Sequence, residues 1–176
     1  SVSNQDAVVA TDSAGEFRVD RGPNDIVFVS VPDDYQVVGR FWRNVVEGPA
    51  RVEFALAPAR APEEFTFVHA SDTHIAPASV GRTRRLRTVV DSIRPAFLLI
   101  AGDLVRDALR VSEAEATSYY DLFMQELGQF TTPTWAVPGN HEIFGIEQNL
   151  SRVEATHPLF GRRMYHRYLG PDYYSF

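Results

Sequence analysis

Short apolar stretches separated by turn-forming residues make up the first third of the chain. Five candidate strands follow this pattern, at residues 7–11, 16–19, 26–31, 37–42 and 51–56. The breaks between them are rich in Gly, Pro, Asn and Asp, which favour turns because they adopt or stabilise the backbone angles that turns require. Short strands at this spacing predict a small β-sandwich, an accessory domain over residues 1–58.

A different pattern begins after residues 57–64, a segment rich in Ala and Pro that favours an extended connection. Beyond it, apolar runs at residues 65–70, 96–101 and 134–137 alternate with stretches of helical periodicity at 81–93 and 112–127. Ser112 followed by Glu115 is a capping-box pattern that supports the start of the second helix. The alternation predicts βαβ units on a parallel sheet, and therefore an α/β domain over residues 64–176.

Composition narrows the possible chemistry. The 176 residues are 44% hydrophobic and 23% charged, within the ordinary globular range. No apolar run approaches the roughly 20 residues of a transmembrane helix. The first residues carry no signal-like pattern, but a mature exported protein would lack its signal too, so an extracytoplasmic location in a bacterium stays open.

Two further features of the composition exclude classes of function. The chain contains no cysteine, which excludes disulfides, zinc ribbons and thiol catalysis. Any metal site must therefore use His, Asp, Glu or Asn. The net charge of −6 argues against general nucleic-acid binding, which needs a basic face.

Polar, metal-capable residues directly follow each of the three apolar runs of the second domain. The clusters are Asp72-Thr73-His74, Gly102-Asp103 and Gly139-Asn140-His141-Glu142. The carboxyl ends of parallel strands lie along one edge of a sheet, where such folds bind ligands. We therefore expect the three clusters to converge.

The residue types in these clusters suit a pair of metal ions. Two cations about 3.5–4 Å apart need a bridging ligand, and a carboxylate can bridge them while offsetting their charge. Asp103 is the candidate bridge, Asp72 and His74 could reach the first ion, and the Asn140 carbonyl could reach the second. Mixed oxygen and imidazole ligands fit Mn, Fe or Zn better than calcium.

Together the three clusters resemble the successive signatures of the calcineurin-like metallophosphoesterase superfamily, over residues 65 to 176. The resemblance implies a hydrolase of phosphate monoesters or diesters with a dinuclear metal centre and a metal-bridging hydroxide that attacks phosphorus. It makes Asp72, His74, Asp103 and Asn140 metal ligands, and His141 the residue that stabilises the transition state or protonates the leaving oxygen. It also implies that this chain carries the first half of the catalytic domain, with further histidine ligands later.

The N-terminal domain is similar to the small transthyretin-like sandwich that precedes the catalytic domain in some bacterial members. The residues that carry this resemblance are Val9-x-Thr11-Asp12-x-x-Gly15-Glu16-Phe17 and Val29-Ser30-Val31-Pro32.

One position departs from the superfamily's protein-phosphatase branch. There, an acidic residue three places after the bridging Asp orients the catalytic His, whereas here that place is Arg106 and the acid follows at Asp107. The residue that orients His141 is therefore open between Asp107 and Glu142.

Other interpretations stay open as well. The arginines at positions 82, 84, 85 and 87 could line an anionic-ligand pocket or form a solvated helix face. His69 is expected to be a packed or edge histidine rather than a ligand. The alternative function for the chain is a non-catalytic binding or scaffold module that keeps the metallophosphoesterase fold.

Overall fold

The computed structural model describes residues 1–45, 51–60 and 62–176. These form two compact units: unit 1 comprises Ser1–Glu63 and Leu169–Phe176, and unit 2 comprises Glu64–Tyr168. The predicted domain bounds of 1–58 and 64–176 stay a prediction.

Unit 1 contains two antiparallel sheets. Its strands are β1 (Val2–Ser3), β2 (Val8–Val9), β3 (Ile26–Val29), β4 (Tyr35–Val38), β5 (Trp42–Asn44) and β6 (Ala55–Pro58). The larger sheet has the order β2-β1-β3-β5, and β4 pairs with β6. Because side chains alternate along a strand, β3 packs Val27 and Val29 into one apolar cluster and Ile26 and Phe28 into another. Strand β3 is therefore the centre of the core of unit 1.

The predicted strand 51–56 is displaced, because the observed strand is β6 at Ala55–Pro58 and residues 51–54 lie in no strand. Two other predicted strands in unit 1 are wrong, for identifiable reasons. Residues 16–19 form no strand. Instead, Asp12 Oδ1 accepts hydrogen bonds from the Ala14 and Glu16 amides and closes a turn. Phe17 still packs against the core, so the apolar pattern there reflects burial without strand pairing. The predicted strand 37–42 is split into β4 and β5, because Gly39 has a φ of +90° that an extended strand does not allow.

Unit 2 is built on a parallel sheet with the order β7-β8-β9. Its strands are β7 (Phe67–Ser71), β8 (Phe97–Ala101) and β9 (Thr134–Val137), and its helices are α1 (Val80–Ile93), α2 (Glu113–Leu127) and α3 (Gln148–Ser151). A last helix, α4 (Arg163–Leu169), ends at the boundary of unit 2. The register pairs Ser71 with Ala101 and Ala101 with Val137, so the three strands end together at one edge. The predicted α/β fold class is confirmed.

Helix α2 shows why these residues fold as they do. Ser112 caps its first turn by accepting a hydrogen bond from the Glu115 amide, as the capping-box pattern predicts. Ala116, Tyr120 and Phe123 recur at helical spacing and are buried. These residues therefore form the face of α2 that packs against the interior of the protein. Among the described residues, no helix has both the length and the apolar composition needed to cross a bilayer.

Candidate metal site

The loops that follow β7 and β8 run side by side beyond the end of the sheet. The Asp72 amide donates to the Gly102 carbonyl over 3.1 Å, and the His74 amide donates to the Asp103 carbonyl over 2.9 Å. These bonds continue the parallel pairing past the last strand residues. They hold the first two polar clusters against each other.

Three of the predicted ligands have left-handed backbone conformations, which are uncommon for residues other than glycine. The φ angles are 57° for Asp72, 38° for His74 and 49° for Asp103. Such conformations cost free energy, persist only where the surroundings impose them, and cluster at functional sites. Here the hydrogen bonds between the paired loops hold these backbone conformations.

The side chains of these loops meet at the sheet edge. His74 Nε2 lies 3.7 Å from Asp72 Oδ1 and 3.7 Å from Asp103 Oδ2. The ring of His141 stands edge-on to that of His74, with 4.6 Å between centroids. The potential ligand atoms of His74, Asp103 and His141 all lie within 4.8 Å of one another, so these three residues could hold a metal ion.

His141 is held at two points. Its amide donates to Asp103 Oδ1 over 3.3 Å, and its Nδ1 lies 2.5 Å from the Arg106 carbonyl oxygen. A carbonyl can only accept, so Nδ1 carries the hydrogen and Nε2 is the nitrogen left for chemistry.

Neither acid proposed to orient His141 does so. Asp107 instead accepts from the Leu109 and Arg110 amides and pairs with the Arg110 guanidinium. Glu142 bonds to two other backbone amides, one of them that of Val105. The orienting contact is the Arg106 carbonyl, a backbone group that residue identities do not reveal.

Glu142 is a structural carboxylate that links two of the loops. It is fully buried, with Oε1 accepting from the Val105 amide over 2.9 Å and Oε2 from the Gly139 amide over 2.7 Å. Burial raises the pKa of the Glu142 carboxyl, and the amide hydrogen bonds partly oppose that rise. Sequence reasoning considered Glu142 only as a partner of His141 and missed this role.

Two glycines allow the loops after β8 and β9 to approach closely. A Cβ atom on Gly139 would lie 2.5 Å from the Asp103 amide nitrogen, and one on Gly102 would lie 3.3 Å from Gly139 Cα. Gly102 also has a φ of +75°. Larger residues would push the third cluster away from Asp103.

The remaining predicted ligands lie in the same loops. Asp72 is exposed beside His74, and Asn140 is exposed between Gly139 and His141, with its backbone carbonyl accepting from the Ile143 amide. Their roles as ligands stay predictions, as do those of His74 and Asp103 and the catalytic role of His141.

The other histidines have different surroundings. His69 is exposed on β7. His157 Nε2 lies 3.2 Å from Glu113 Oε2, and His166 is buried in α4. None of these three belongs to the group at the sheet edge.

Comparison with known protein families gives a match over residues 65–175 to the family described as calcineurin-like phosphoesterase. The matched segment includes the whole parallel sheet and all five predicted site residues. A search of curated proteins finds no match.

Proposed function

Because the family match covers most of its length, this chain belongs to the calcineurin-like phosphoesterase family, and we propose that it hydrolyses phosphate monoesters or diesters at a dinuclear metal centre. The observation that supports this most is the convergence of His74, Asp103 and His141 at the carboxyl edge of the parallel sheet. An edge of this kind is where open α/β sheets bind their ligands.

The donor set fits divalent transition metals. It combines imidazole nitrogen with carboxylate oxygen and contains no thiolate, which suits Mn, Fe or Zn. We propose that Asp72 and His74 bind one ion, that Asn140 binds a second, and that Asp103 contacts both. Bound ions would supply positive charge that polarises the phosphoryl oxygens and makes water acidic enough to act as a nucleophile.

His141 is the proposed proton donor. With Nδ1–H bound to the Arg106 carbonyl, its protonated form keeps Nε2–H as its other donor, in a ring that lies beside that of His74. From there it would stabilise charge on the phosphoryl group or deliver a proton to the leaving oxygen, as a general acid does. The amide contact to Asp103 Oδ1 fixes the distance between the acid and the proposed bridging carboxylate.

The rigid surroundings support the same proposal. The buried Glu142 carboxylate ties the loop after β8 to the loop after β9 through two hydrogen bonds, one of them fully buried. Gly139 lets the backbone of the second loop lie against Asp103. A site held in place before substrate binds loses less free energy to reorganisation during the reaction.

The experiment is to strip the protein with EDTA, reload it with Mn, Fe or Zn, and assay p-nitrophenyl phosphate and bis(p-nitrophenyl) phosphate. We expect no turnover of either ester without metal and turnover of at least one after reloading. The ratio of the two rates then assigns monoester or diester preference.

Absence of turnover with every metal would contradict the proposed hydrolase activity. If the protein nevertheless bound metal, the result would favour the alternative of a non-catalytic binding module with the same fold.

A further inference from the structure

A cavity of about 250 Å³ opens beside His74. Its lining consists of His74, Ala76, Ala78, Ser79, Arg82 and Arg106. The lining residues thus include two arginines and no acidic residue. One water molecule occupies about 30 Å³ in the liquid, so the cavity has room for an anionic group together with part of an ester.

The two arginines belong to different elements and are both exposed. Arg82 lies in the first turn of α1, and Arg106 lies in the loop after β8. Within residues 1–45, 51–60 and 62–176, neither guanidinium forms a salt bridge. Two other arginines of α1, Arg84 and Arg87, are instead paired with the buried Glu126. The arginine-rich sequence of α1 therefore has separate roles, and Arg82 belongs to the cavity.

The cavity wall is tied to the candidate metal site. Ser79 Oγ donates to the His74 carbonyl over 2.9 Å and accepts from the Ala76 amide over 2.8 Å. On the other side, the Arg106 carbonyl holds His141. A group bound in this cavity would therefore lie next to the proposed metal ligands.

We propose that Arg82 and Arg106 bind a second anionic group of the substrate, so that the preferred substrates are phosphate esters with a further phosphate or carboxylate near the scissile phosphate. This proposal rests on the proposed function. A guanidinium presents a planar set of donors that pairs with both oxygens of a carboxylate or phosphate. No acidic residue lines the cavity itself.

The first test compares kcat/KM within matched pairs of esters for the Mn-loaded protein. One pair is n-propyl phosphate and 1,3-propanediol bisphosphate, and the other is ethyl phosphate and phosphoglycolate. In at least one pair, we expect the ester with the second anionic group to be preferred by about tenfold or more, as hydrogen bonds to charged groups typically contribute. The pair that shows the preference identifies the second group as phosphate or carboxylate.

Substitutions then assign the preference to the two arginines. Arg82→Gln and Arg106→Gln should each reduce the ratio of kcat/KM values within the pair. The double variant should bring that ratio near one. Arg82→Lys and Arg106→Lys should retain part of the preference, because lysine keeps the charge without the planar set of donors. Arg85→Gln is the matched control, since Arg85 is an exposed arginine of the same helix that does not line the cavity.

A binding measurement separates this proposal from the activity itself. Isothermal titration calorimetry with methylphosphonate, phosphonoacetate and methylenediphosphonate should show tighter binding of at least one two-anion ligand, and the double Gln variant should lose that difference. Chelation of Mn in solution affects all variants alike.

Turnover without any preference, in rates or in binding, would overturn the proposal and leave the hydrolase activity standing. An arginine-dependent binding difference without turnover of these monoesters or of bis(p-nitrophenyl) phosphate would support the anion pocket and contradict the hydrolase activity.

Discussion

Gly139 stands where the loop after β9 passes closest to Asp103, and a Cβ atom there would lie 2.5 Å from the Asp103 amide nitrogen. That distance is an overlap with backbone, which cannot rotate away as a flexible side chain could. The candidate site therefore depends on the absence of a side chain as much as on the side chains that converge there.

We predict that Gly139→Ala weakens Mn binding and lowers the free energy of unfolding by about 1–3 kcal/mol, as overpacking typically does. Gly81→Ala is the control, because Gly81 lies in α1 and nothing is within 4 Å of its Cβ position. In the first turn of a helix, that change should be neutral or stabilising by less than about 1 kcal/mol, the value for a helix interior. Urea unfolding and Mn titration of both variants provide the comparison. Equal changes in stability and in Mn affinity would show that the contact between Gly139 and Asp103 does not require glycine.

His141→Ala should leave metal content near normal while lowering kcat by about 10²–10⁴-fold, the usual contribution of a general acid. The expectation follows from the Arg106 carbonyl, which occupies Nδ1 and leaves Nε2 as the reactive nitrogen. The loss should be smaller for p-nitrophenyl phosphate than for an alkyl phosphate, since a good leaving group needs no proton. Loss of metal from this variant would show that His141 is a ligand.

The order of metal-capable groups after three apolar runs was enough to predict that side chains of the three clusters would meet, and His74, Asp103 and His141 do so. His74 and Asp103 do lie together at the sheet edge. The contact that orients His141 could not be predicted, since every residue has a carbonyl and sequence does not show which one is near.

At the scale of elements, α2 is connected to the loop after β9 by one buried hydrogen bond. Tyr120 is fully buried and its hydroxyl donates to the Glu142 carbonyl over 2.9 Å. Burial raises the pKa of the Tyr120 hydroxyl well above its usual range. The helix thereby supports the residue that links the two site loops.

Tyr120→Phe should lower the free energy of unfolding by about 1–2 kcal/mol at neutral pH, the cost of a lost buried hydrogen bond. In the unfolded chain a tyrosine ionises near pH 10, whereas the folded Tyr120 stays protonated. The wild type therefore loses stability as pH rises above about 10, whereas phenylalanine has no group that ionises. The difference in unfolding free energy between wild type and variant should narrow there.

Urea denaturation at pH 8 and at pH 10.5 measures this difference. Tyr119→Phe is the control, because the Tyr119 hydroxyl bonds to Glu115 at the surface and should contribute little. A difference in the free energy of unfolding between wild type and Tyr120→Phe that is the same at both pH values would contradict this prediction.

Elements with a strong local pattern were predicted well. Strand β9 spans the predicted residues 134–137, and α1 begins one residue before the predicted helix at 81–93. The predictions failed where tertiary structure decided, as at Phe17, which is packed into the core without belonging to a strand. A short apolar segment has the same pattern whether or not it pairs.

At the scale of the whole molecule, the alternation of apolar runs and helical stretches predicted the α/β class, and the ordered strand ends predicted where the polar clusters would meet. The net charge of −6 is compatible with a small anionic substrate because the cavity beside His74 is lined by two arginines. Local charge near the site, rather than the sum over the chain, determines attraction of a small ligand.

Metal content measures the central claim most directly. The protein is stripped with EDTA, reloaded with Mn, dialysed and analysed by inductively coupled plasma mass spectrometry beside Asp103→Asn and Asp91→Asn. We predict two Mn ions per molecule of the intact protein for wild type and for Asp91→Asn, whose exposed carboxylate lies in α1, and the largest loss for Asp103→Asn. A wild-type protein that retains no Mn, or an Asp103→Asn variant that retains as much as Asp91→Asn, would contradict the account.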